Sequence, residues 1–463
     1  MTRVAGFLFL ATILVSPVPF GAIQAWAWGP MVIVLGLAAT AFACSKEMKA
    51  FVNEWHARLG LPLLGFGAVL LWIFVQGELF SALAPGSGAR SGSSLIADVP
   101  DSLFRILAYG LVFILAVALG RSRTFAEVAM RLFALGGLLV ALYAVFSWQL
   151  TPERLLWTRK EIYHGFATGT FLNRNTFATY AGLVLITITA IILAQRPRAE
   201  NVSGPGFARR FVPYFVMQLE RNWFWILAWI VVVFALLLSG SRAGTLSTAA
   251  AMISLLLLMG RSKAGDVPSR HRWMRRLKAP AIAVFGMLAV YFAGGDVLAA
   301  RIWEGGLAAQ ASERLELSEV ALRALADSPW TGTGLGTFPQ IFAIYRPPHL
   351  TLQPGSEFVH NSFLEVTLGL GVPAALVFYA VLAYCAYQCF RGVRRRRRGR
   401  VFPALAAAAT ILAAMHSLVD FSLEIPAVAM AYAFLLGLGF GQAWRRDLAR
   451  GEWIDANVRF GDL

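Results

Sequence analysis

Charged side chains are scarce in this chain, and acidic ones are the scarcest of all. Asp, Glu, Lys and Arg together make up 14% of the 463 residues, whereas hydrophobic residues make up 58%. A soluble globular protein of this size would have too few charged side chains to cover its core with a polar surface. The composition therefore excludes a soluble protein and indicates an integral membrane protein.

Cysteine is also rare, and the chain has only Cys44, Cys385 and Cys389. All three fall in or beside apolar stretches, so we expect reduced packing residues rather than disulfides. The Cys/His spacing typical of metal sites is missing, as are a Walker-type phosphate loop and a Gly-x-Ser-x-Gly nucleophile elbow. The sequence therefore gives no support for a metal site, for nucleotide hydrolysis or for a serine hydrolase.

Long apolar runs, in contrast, recur along the whole chain. We predict an all-α integral membrane fold with about twelve transmembrane helices, because each run has the roughly 20 residues that a helical span requires. The first run resembles a signal peptide, but the runs that follow it favour a retained helix. The predicted spans are residues 4–22, 25–43, 61–80, 103–120, 126–148, 173–194, 223–240, 244–260, 280–298, 361–388, 402–419 and 426–443.

Lys and Arg give the predicted orientation, because cytoplasmic loops collect them. With the N-terminus in the cytoplasm, every second loop is basic, including RSKAGDVPSRHRWMRRLK from Arg261 and RGVRRRRRGR from Arg391. The net charge of +16 then follows from topology and the anionic inner leaflet, so no nucleic-acid partner is predicted. The predicted parts are transmembrane helices 1–9 (residues 1–300), an outer loop (301–359), transmembrane helices 10–12 (360–443) and a cytoplasmic tail (444–463).

Two predicted outer segments carry positive charge where the orientation rule expects little. TPERLLWTRKEIYHGFATGTFLNRNTFATY contains Arg159, Lys160 and Arg174, and in LLLSGSRAGTLS small residues surround Arg242. Cations at a membrane boundary would hold an anionic group such as a lipid-linked phosphate. Snorkelling to the interface is the alternative for Arg174. A small-residue helix-packing turn is the alternative for Arg242, and it explains the glycines but not the arginine.

The outer loop and the segment after it add further candidates. ASERLELSEVALRALADSPW predicts a helix on the membrane surface, with Leu315 and Leu322 on its apolar face. The glycine-rich stretch TGTGLGTF is not predicted to be a dinucleotide-binding turn, because no strand precedes it. Its glycines favour a mobile lid instead. A helix starting at His360 would place Gly371 on the same face. Histidine suits proton transfer near neutral pH, and the outer arginines favour catalysis over simple packing for His360.

Taken in order along the chain, these motifs resemble the O-antigen ligase and O-antigen polymerase family of polytopic glycosyltransferases. Arg242 and Leu246 match the family's Arg-x3-Leu pattern, and His360 and Gly371 match its His-x10-Gly pattern. DSPWTGTGLGTF and GTFLNRNTFATY are similar to two further family stretches, so the resemblance covers about residues 165–375. It implies a GT-C-like fold with one large periplasmic loop containing short helices. It also implies a bacterial inner-membrane location with both termini in the cytoplasm.

The resemblance implies a metal-independent enzyme that moves a glycan from undecaprenyl pyrophosphate to an acceptor hydroxyl, with no cofactor. His360 would be the general base, and Arg242 and Arg174 would bind the pyrophosphate. A role in orienting a helix end is an equal alternative for Asp420 and Glu424. The candidate acceptor-side or supporting residues are Asn361, Arg346, Arg314, Glu357, Asp420 and Glu424.

The acceptor separates two versions of this function. A ligase uses a sugar hydroxyl of the lipid A-core, whereas a polymerase uses the end of another lipid-linked repeat. We favour a ligase, because the outer loop has moderate length and its motifs have the ligase spacing. An anion transporter is the alternative from another class, but the ionisable residues gather at the outer boundary rather than at mid-depth.

Overall fold

A computed structural model describes residues 1–83, 99–195, 207–260, 307–348, 358–396 and 399–444. Over these ranges the chain is mostly helical, with short 3-10 helices at Phe20–Ala22 and Ser422–Glu424 and a small antiparallel hairpin of β1 (Arg154–Leu155) and β2 (Thr158–Arg159). The α-helices are α1 (Thr2–Val15), α2 (Ala25–Ala43), α3 (Glu47–Leu83), α4 (Val99–Gly120), α5 (Arg123–Leu150), α6 (Arg174–Ala194), α7 (Phe207–Leu238), α8 (Arg242–Gly260), α9 (Leu307–Asp327), α10 (Phe338–Tyr345), α11 (Ser362–Leu370), α12 (Val372–Arg395), α13 (Val401–Ser417) and α14 (Pro426–Gly441).

The helices confirm an all-α, multi-pass membrane protein. Among the described residues, eight helices are long and apolar enough to cross a membrane, namely α2 to α8 and α12. Helices α1, α13 and α14 are apolar but shorter. The predicted ninth span (280–298), the basic run from Arg261 and Glu357 lie outside the described residues. The total of twelve spans therefore stays a prediction.

Two predicted spans have different boundaries in the structure. The span predicted at 4–22 ends as a helix at Val15, because Pro17 and Pro19 lack the N–H that a continuing helix needs. The single helix predicted over 361–388 is wrong. Gly371, at φ 77°, separates α11 from α12, and Pro373 lies in the first turn of α12.

The centre of the bundle is α6, which is buried on nearly every side along its length. A helix that is apolar all round belongs in a core, and small residues let its neighbours approach closely. A Cβ atom at Gly182 would lie 2.3 Å from the Thr248 hydroxyl oxygen, and one at Gly244 would lie 2.6 Å from Ala178 Cβ. Small side chains therefore let helices α6 and α8 pack closely, and both helices begin with an arginine.

Helices α9, α10 and α11 share a second, smaller core that includes Leu317, Phe342 and Leu368. Leu315 and Leu322, on the apolar face predicted for α9, are 70% and 54% exposed, whereas Val320 is buried in this core. The placement of α9 on the membrane surface stays a prediction. The glycine-rich segment predicted to be a lid is tied to the end of α11 by Thr333 N–H to Leu368 O, at 2.9 Å. Its mobility stays a prediction.

Candidate active site

His360 does not belong to α11 but lies just before it, in a left-handed backbone conformation with φ 59°. Such a conformation costs a non-glycine residue about 1 kcal/mol or more, so its surroundings must hold it in place. Asn361 caps α11 by accepting a hydrogen bond from Leu364 N–H at 3.0 Å. The Phe421 ring meets the imidazole edge to face at 4.8 Å between centroids, and Phe358 stacks on Phe421 at 4.5 Å. Both backbone and ring of His360 are thus fixed.

The imidazole of His360 faces a buried carboxylate. His360 Nδ1 is 3.7 Å from Asp420 Oδ1, and the Asp420 side chain is 1% exposed. Asn175 Nδ2 donates to the same oxygen at 3.1 Å, and the Ser422 hydroxyl donates to Asp420 Oδ2. Burial alone would raise the pKa of Asp420, but His360, His416 and Ser422 outweigh it and hold this pKa below its usual range. A charged carboxylate at this place orients the imidazole and stabilises its protonated form.

Arg174 opens helix α6, whose cap is the Asn173 side chain accepting a hydrogen bond from Asn175 N–H at 2.7 Å. The guanidinium lies over the Phe166 ring, 4.1 Å from its centroid. This cation–π contact holds the group in place. A Cβ atom at Gly240 would lie 3.4 Å from Arg174 Nη1, so the turn before α8 lies close to the guanidinium.

Arg242 is the first residue of α8 and is half-buried. It makes no hydrogen bond or ion pair with any residue in the part of the chain that the structure describes. The close contact of Gly244 with Ala178 agrees with the small-residue helix-packing turn, which was the alternative for this segment. This packing does not explain why position 242 is an arginine. A guanidinium and the free amides of a helix start together favour an anion.

One continuous set of contacts joins the predicted residues. Asp420 beside His360 accepts a hydrogen bond from Asn175, and Asn175 follows Arg174 in the first turn of α6. The Arg174 guanidinium in turn lies close to Gly240, two residues before Arg242. The histidine and both arginines therefore share one end of the helix bundle, although they come from three separate parts of the sequence.

A comparison with known protein families matches the part of the chain that contains two of these residues. Residues 226–379 match the family described as O-antigen ligase, and the match includes both Arg242 and His360. Over these residues the chain carries a domain of the O-antigen ligase family. No curated protein sequence matches the chain. The family resemblance drawn from the motifs is confirmed, and Asp420, which lies beside His360, is outside the matched region.

The remaining predicted residues are Arg314, Arg346 and Glu357. Arg314 on α9 lies within electrostatic reach of His416, whose ring contacts the Ser422 hydroxyl at 3.4 Å. Arg346 is exposed at the end of α10. Glu357 lies outside the described residues. Both stay candidates from the sequence.

Glu424 belongs to a buried cluster with Glu365 and Arg105 that was not predicted from the sequence. It lines a cavity of about 60 Å³ together with Glu365 and Arg105. Burial and the charge of Glu424 raise the pKa of Glu365 to about 8, and burial raises the pKa of Glu424 to about 7. Glu365 also accepts a hydrogen bond from Val359 N–H at 2.8 Å, next to His360. The signal was available, since Glu365 is an acidic residue inside an apolar run.

Proposed function

We propose that this protein transfers a glycan from undecaprenyl pyrophosphate to a sugar hydroxyl of the lipid A-core, at the periplasmic face of the bacterial inner membrane. One observation carries the proposal: the histidine held by a buried carboxylate shares one bundle end with two arginine-headed helices. The imidazole supplies a base, and the arginines supply a site for a phosphate-bearing leaving group.

His360 acts as the general base in this reaction. With Nδ1–H directed at Asp420, the other ring nitrogen, Nε2, is left to accept the proton of the attacking hydroxyl. The negative charge of Asp420 stabilises the imidazolium that forms. Asn361 supports this role indirectly, because its cap fixes the start of α11 directly after His360.

Arg242 and Arg174 bind the pyrophosphate. The acceptor oxygen attacks the anomeric carbon, the bond from that carbon to the phosphate oxygen breaks, and undecaprenyl pyrophosphate leaves with the bonding electrons. The negative charge on the departing oxygen grows during this step, so cations held nearby lower the barrier. The donor is already activated, and the reaction as written needs neither a metal nor nucleotide hydrolysis.

The family match supports both a ligase and a polymerase. The two differ only in the acceptor, which is a sugar of the lipid A-core in the first and the end of another lipid-linked repeat in the second. The acceptor-side candidates are Arg346, Glu357 and Arg314, which lies within electrostatic reach of His416. Anion transport uses the arginines but needs no general base.

The test is a transfer assay with purified protein and undecaprenyl-pyrophosphate glycan, offered lipid A-core or a lipid-linked repeat in separate reactions. We expect product on lipid A-core that falls at least about 100-fold in His360→Ala, the loss typical of a missing general base. His56→Ala, which removes an exposed histidine elsewhere, serves as the control and should keep full activity. Lengthened lipid-linked chains would instead show a polymerase. Full transfer by His360→Ala would exclude the proposed mechanism.

A further inference from the structure

A large cleft lies beside the candidate active site and has no role in the reaction as derived above. It has a volume of about 570 Å³, within the range of small-molecule binding sites. We name it the hairpin cleft, because the β1–β2 hairpin forms one wall. The turn before α2 and the first turn of α6 form the other walls. Its lining includes Trp26, Trp157, Glu161, Thr176 and Phe421.

Exposed aromatic rings are the first feature of the hairpin cleft. The Trp157 side chain is 65% exposed and that of Trp26 is 55% exposed, although both are large and apolar. Trp157 is held edge-on against Phe20, with 5.1 Å between ring centroids. A rigid indole ring that presents an open face is suited to stacking against the flat C–H face of a sugar ring.

A buried hydroxyl without a partner is the second feature. Thr176 lines the cleft and is 1% exposed, yet its hydroxyl oxygen makes no hydrogen bond within the described ranges. Buried polar groups are nearly always hydrogen-bonded, so an unsatisfied one at a cavity wall points to a ligand group. A sugar hydroxyl can both donate to and accept from the threonine hydroxyl.

The charged side chains of the cleft have both signs. Arg159 and Glu161 both line it, and Lys160 Nζ already donates to the Phe166 carbonyl at 2.6 Å. The Glu161 carboxylate can accept hydrogen bonds from sugar hydroxyls, and its negative charge weakens the attraction of this wall for a phosphate. We therefore keep Arg174 and Arg242 as the proposed phosphate site and assign the hairpin wall to sugar hydroxyls.

The cleft adjoins the reacting groups. Phe358 and Phe421 form its inner wall, and the Phe421 ring also contacts the imidazole of His360 at 4.8 Å. Asn173, which lines the cleft, directly precedes Arg174. A saccharide bound in the cleft would therefore lie next to the glycosidic bond that the proposed reaction breaks between His360 and the two arginines.

We propose that the hairpin cleft is a saccharide-binding subsite, in which Trp157 and Trp26 stack on sugar rings and the Thr176 hydroxyl bonds a sugar hydroxyl. The subsite rests on the proposed function, because it takes its place next to a glycan-transferring centre. Either the donor glycan or the acceptor sugar could supply the bound rings, and both share this chemistry.

The test separates binding from transfer by using His360→Ala protein, in which transfer is blocked. The probes are two oligosaccharides freed of lipid from the lipopolysaccharide of the source organism: the repeat unit and the core. Saturation-transfer NMR measures the affinity of each.

We expect Trp157→Ala to weaken binding of one probe about 10-fold and Trp157→Phe to restore most of it. Thr176→Val, which keeps the side-chain shape but removes the hydroxyl, should weaken it a few-fold. Trp223→Ala removes a tryptophan of similar exposure, 61%, that is not part of the cleft lining, and should change nothing.

Each outcome decides a separate point. Binding of the repeat assigns the cleft to the donor, and binding of the core assigns it to the acceptor. Saturable binding that depends on Trp157 would uphold the subsite even if the wild-type protein transferred no glycan, so failure of the proposed function is a distinct result. No saturable binding of either probe, or an equal loss in Trp157→Ala and Trp223→Ala, would overturn the subsite and leave the tryptophans as an interfacial aromatic belt.

Discussion

At the scale of single residues, the pairing of His360 with Asp420 is the feature that most limits the chemistry. The carboxylate is buried, accepts hydrogen bonds from Asn175 and Ser422, and lies 3.7 Å from the imidazole. The sequence suggested His360 as a base and left Asp420 as either a supporting group or a helix-end residue. The contact favours the supporting role.

Asp420→Asn should therefore slow transfer by about 100-fold or more, because an amide can donate to Nδ1 and favour the tautomer that cannot act as a base. The measurement is the initial transfer rate across pH 5 to 9, together with the midpoint of thermal unfolding. Glu319→Gln, which changes an exposed carboxylate paired with Arg323 on α9, is the matched control. An unchanged rate in Asp420→Asn would mean that His360 works without this carboxylate.

The second prediction for a single residue concerns the planar shape of the Arg242 guanidinium. Arg242→Lys keeps the positive charge but loses the planar fork that binds two phosphate oxygens at once, so we expect transfer to fall at least about 10-fold. Most of the loss should appear in KM for the lipid-linked donor. Arg323→Lys, at an exposed site, should be neutral. A variant with wild-type kinetics would reduce Arg242 to a general electrostatic role.

The Glu365–Glu424 pair near Arg105 predicts a pH-dependent stability. The pKa of Glu365 is raised by burial and by Glu424 to about 8, so the folded protein holds a proton that the unfolded chain releases near pH 4.5. Its contribution to stability is therefore full below about pH 4.5 and is lost as the pH rises towards 8. Glu365→Gln should show a smaller fall in melting temperature between pH 5 and 8 than wild type, as measured by thermal unfolding in detergent. Equal slopes for the two proteins would contradict the raised pKa of Glu365.

At the scale of elements, the junction of α11 and α12 shows where sequence patterns fail. The spacing from His360 to Gly371 has the periodicity of one helical face, yet His360 precedes the helix and Gly371 ends it. Periodicity reports which positions would align on a helix and does not reveal a left-handed residue at its boundary. The span at 25–43 was predictable because a continuous apolar run of membrane length needs no tertiary information.

The same junction gives an element-scale prediction for Gly332. Its φ is 68°, and a Cβ atom there would lie 2.3 Å from Gly371 N, so Gly332→Ala would force the glycine-rich segment away from α11. We expect a lower melting temperature and weaker transfer. Gly67→Ala is the control, because nothing lies within 4 Å of a Cβ atom at that helical position. If both variants were equally stable, the segment would not be docked as described.

At the scale of the whole molecule, the composition and the apolar runs predicted the class, and the motifs predicted the family. The meeting of Asn175 with Asp420, 245 residues apart, was not predictable, because one sequence does not show which helix ends pack together. Glu365 is visible in the sequence as an acidic residue in an apolar run, but its meeting with Arg105 and Glu424 was missed for the same reason. The three residues come from three separate segments and carry no motif that links them.

The predicted membrane orientation is open to a direct test with the natural cysteines. Cys44 is exposed, whereas Cys385 and Cys389 are buried. A membrane-impermeant maleimide should label Cys44 in inverted membrane vesicles but not in intact cells, because the orientation places it at the cytoplasmic face. Glu153→Cys in a Cys44→Ser background, on the hairpin side, should show the opposite pattern. Labelling of Cys44 from outside would reverse the proposed topology.

The close packing of α6 against α8 has a consequence for the proposed binding of a diphosphate lipid. Two guanidinium groups repel one another, and bringing them together around a ligand would consume part of the binding energy. Gly182 lies against Thr248 and Gly244 lies against Ala178 without room for larger side chains, so the helices pack closely near their starts. The packing of the bundle core then offsets the repulsion during folding. If the proposed function is right, the two arginines are positioned before the diphosphate binds, and its binding energy is available for the reaction.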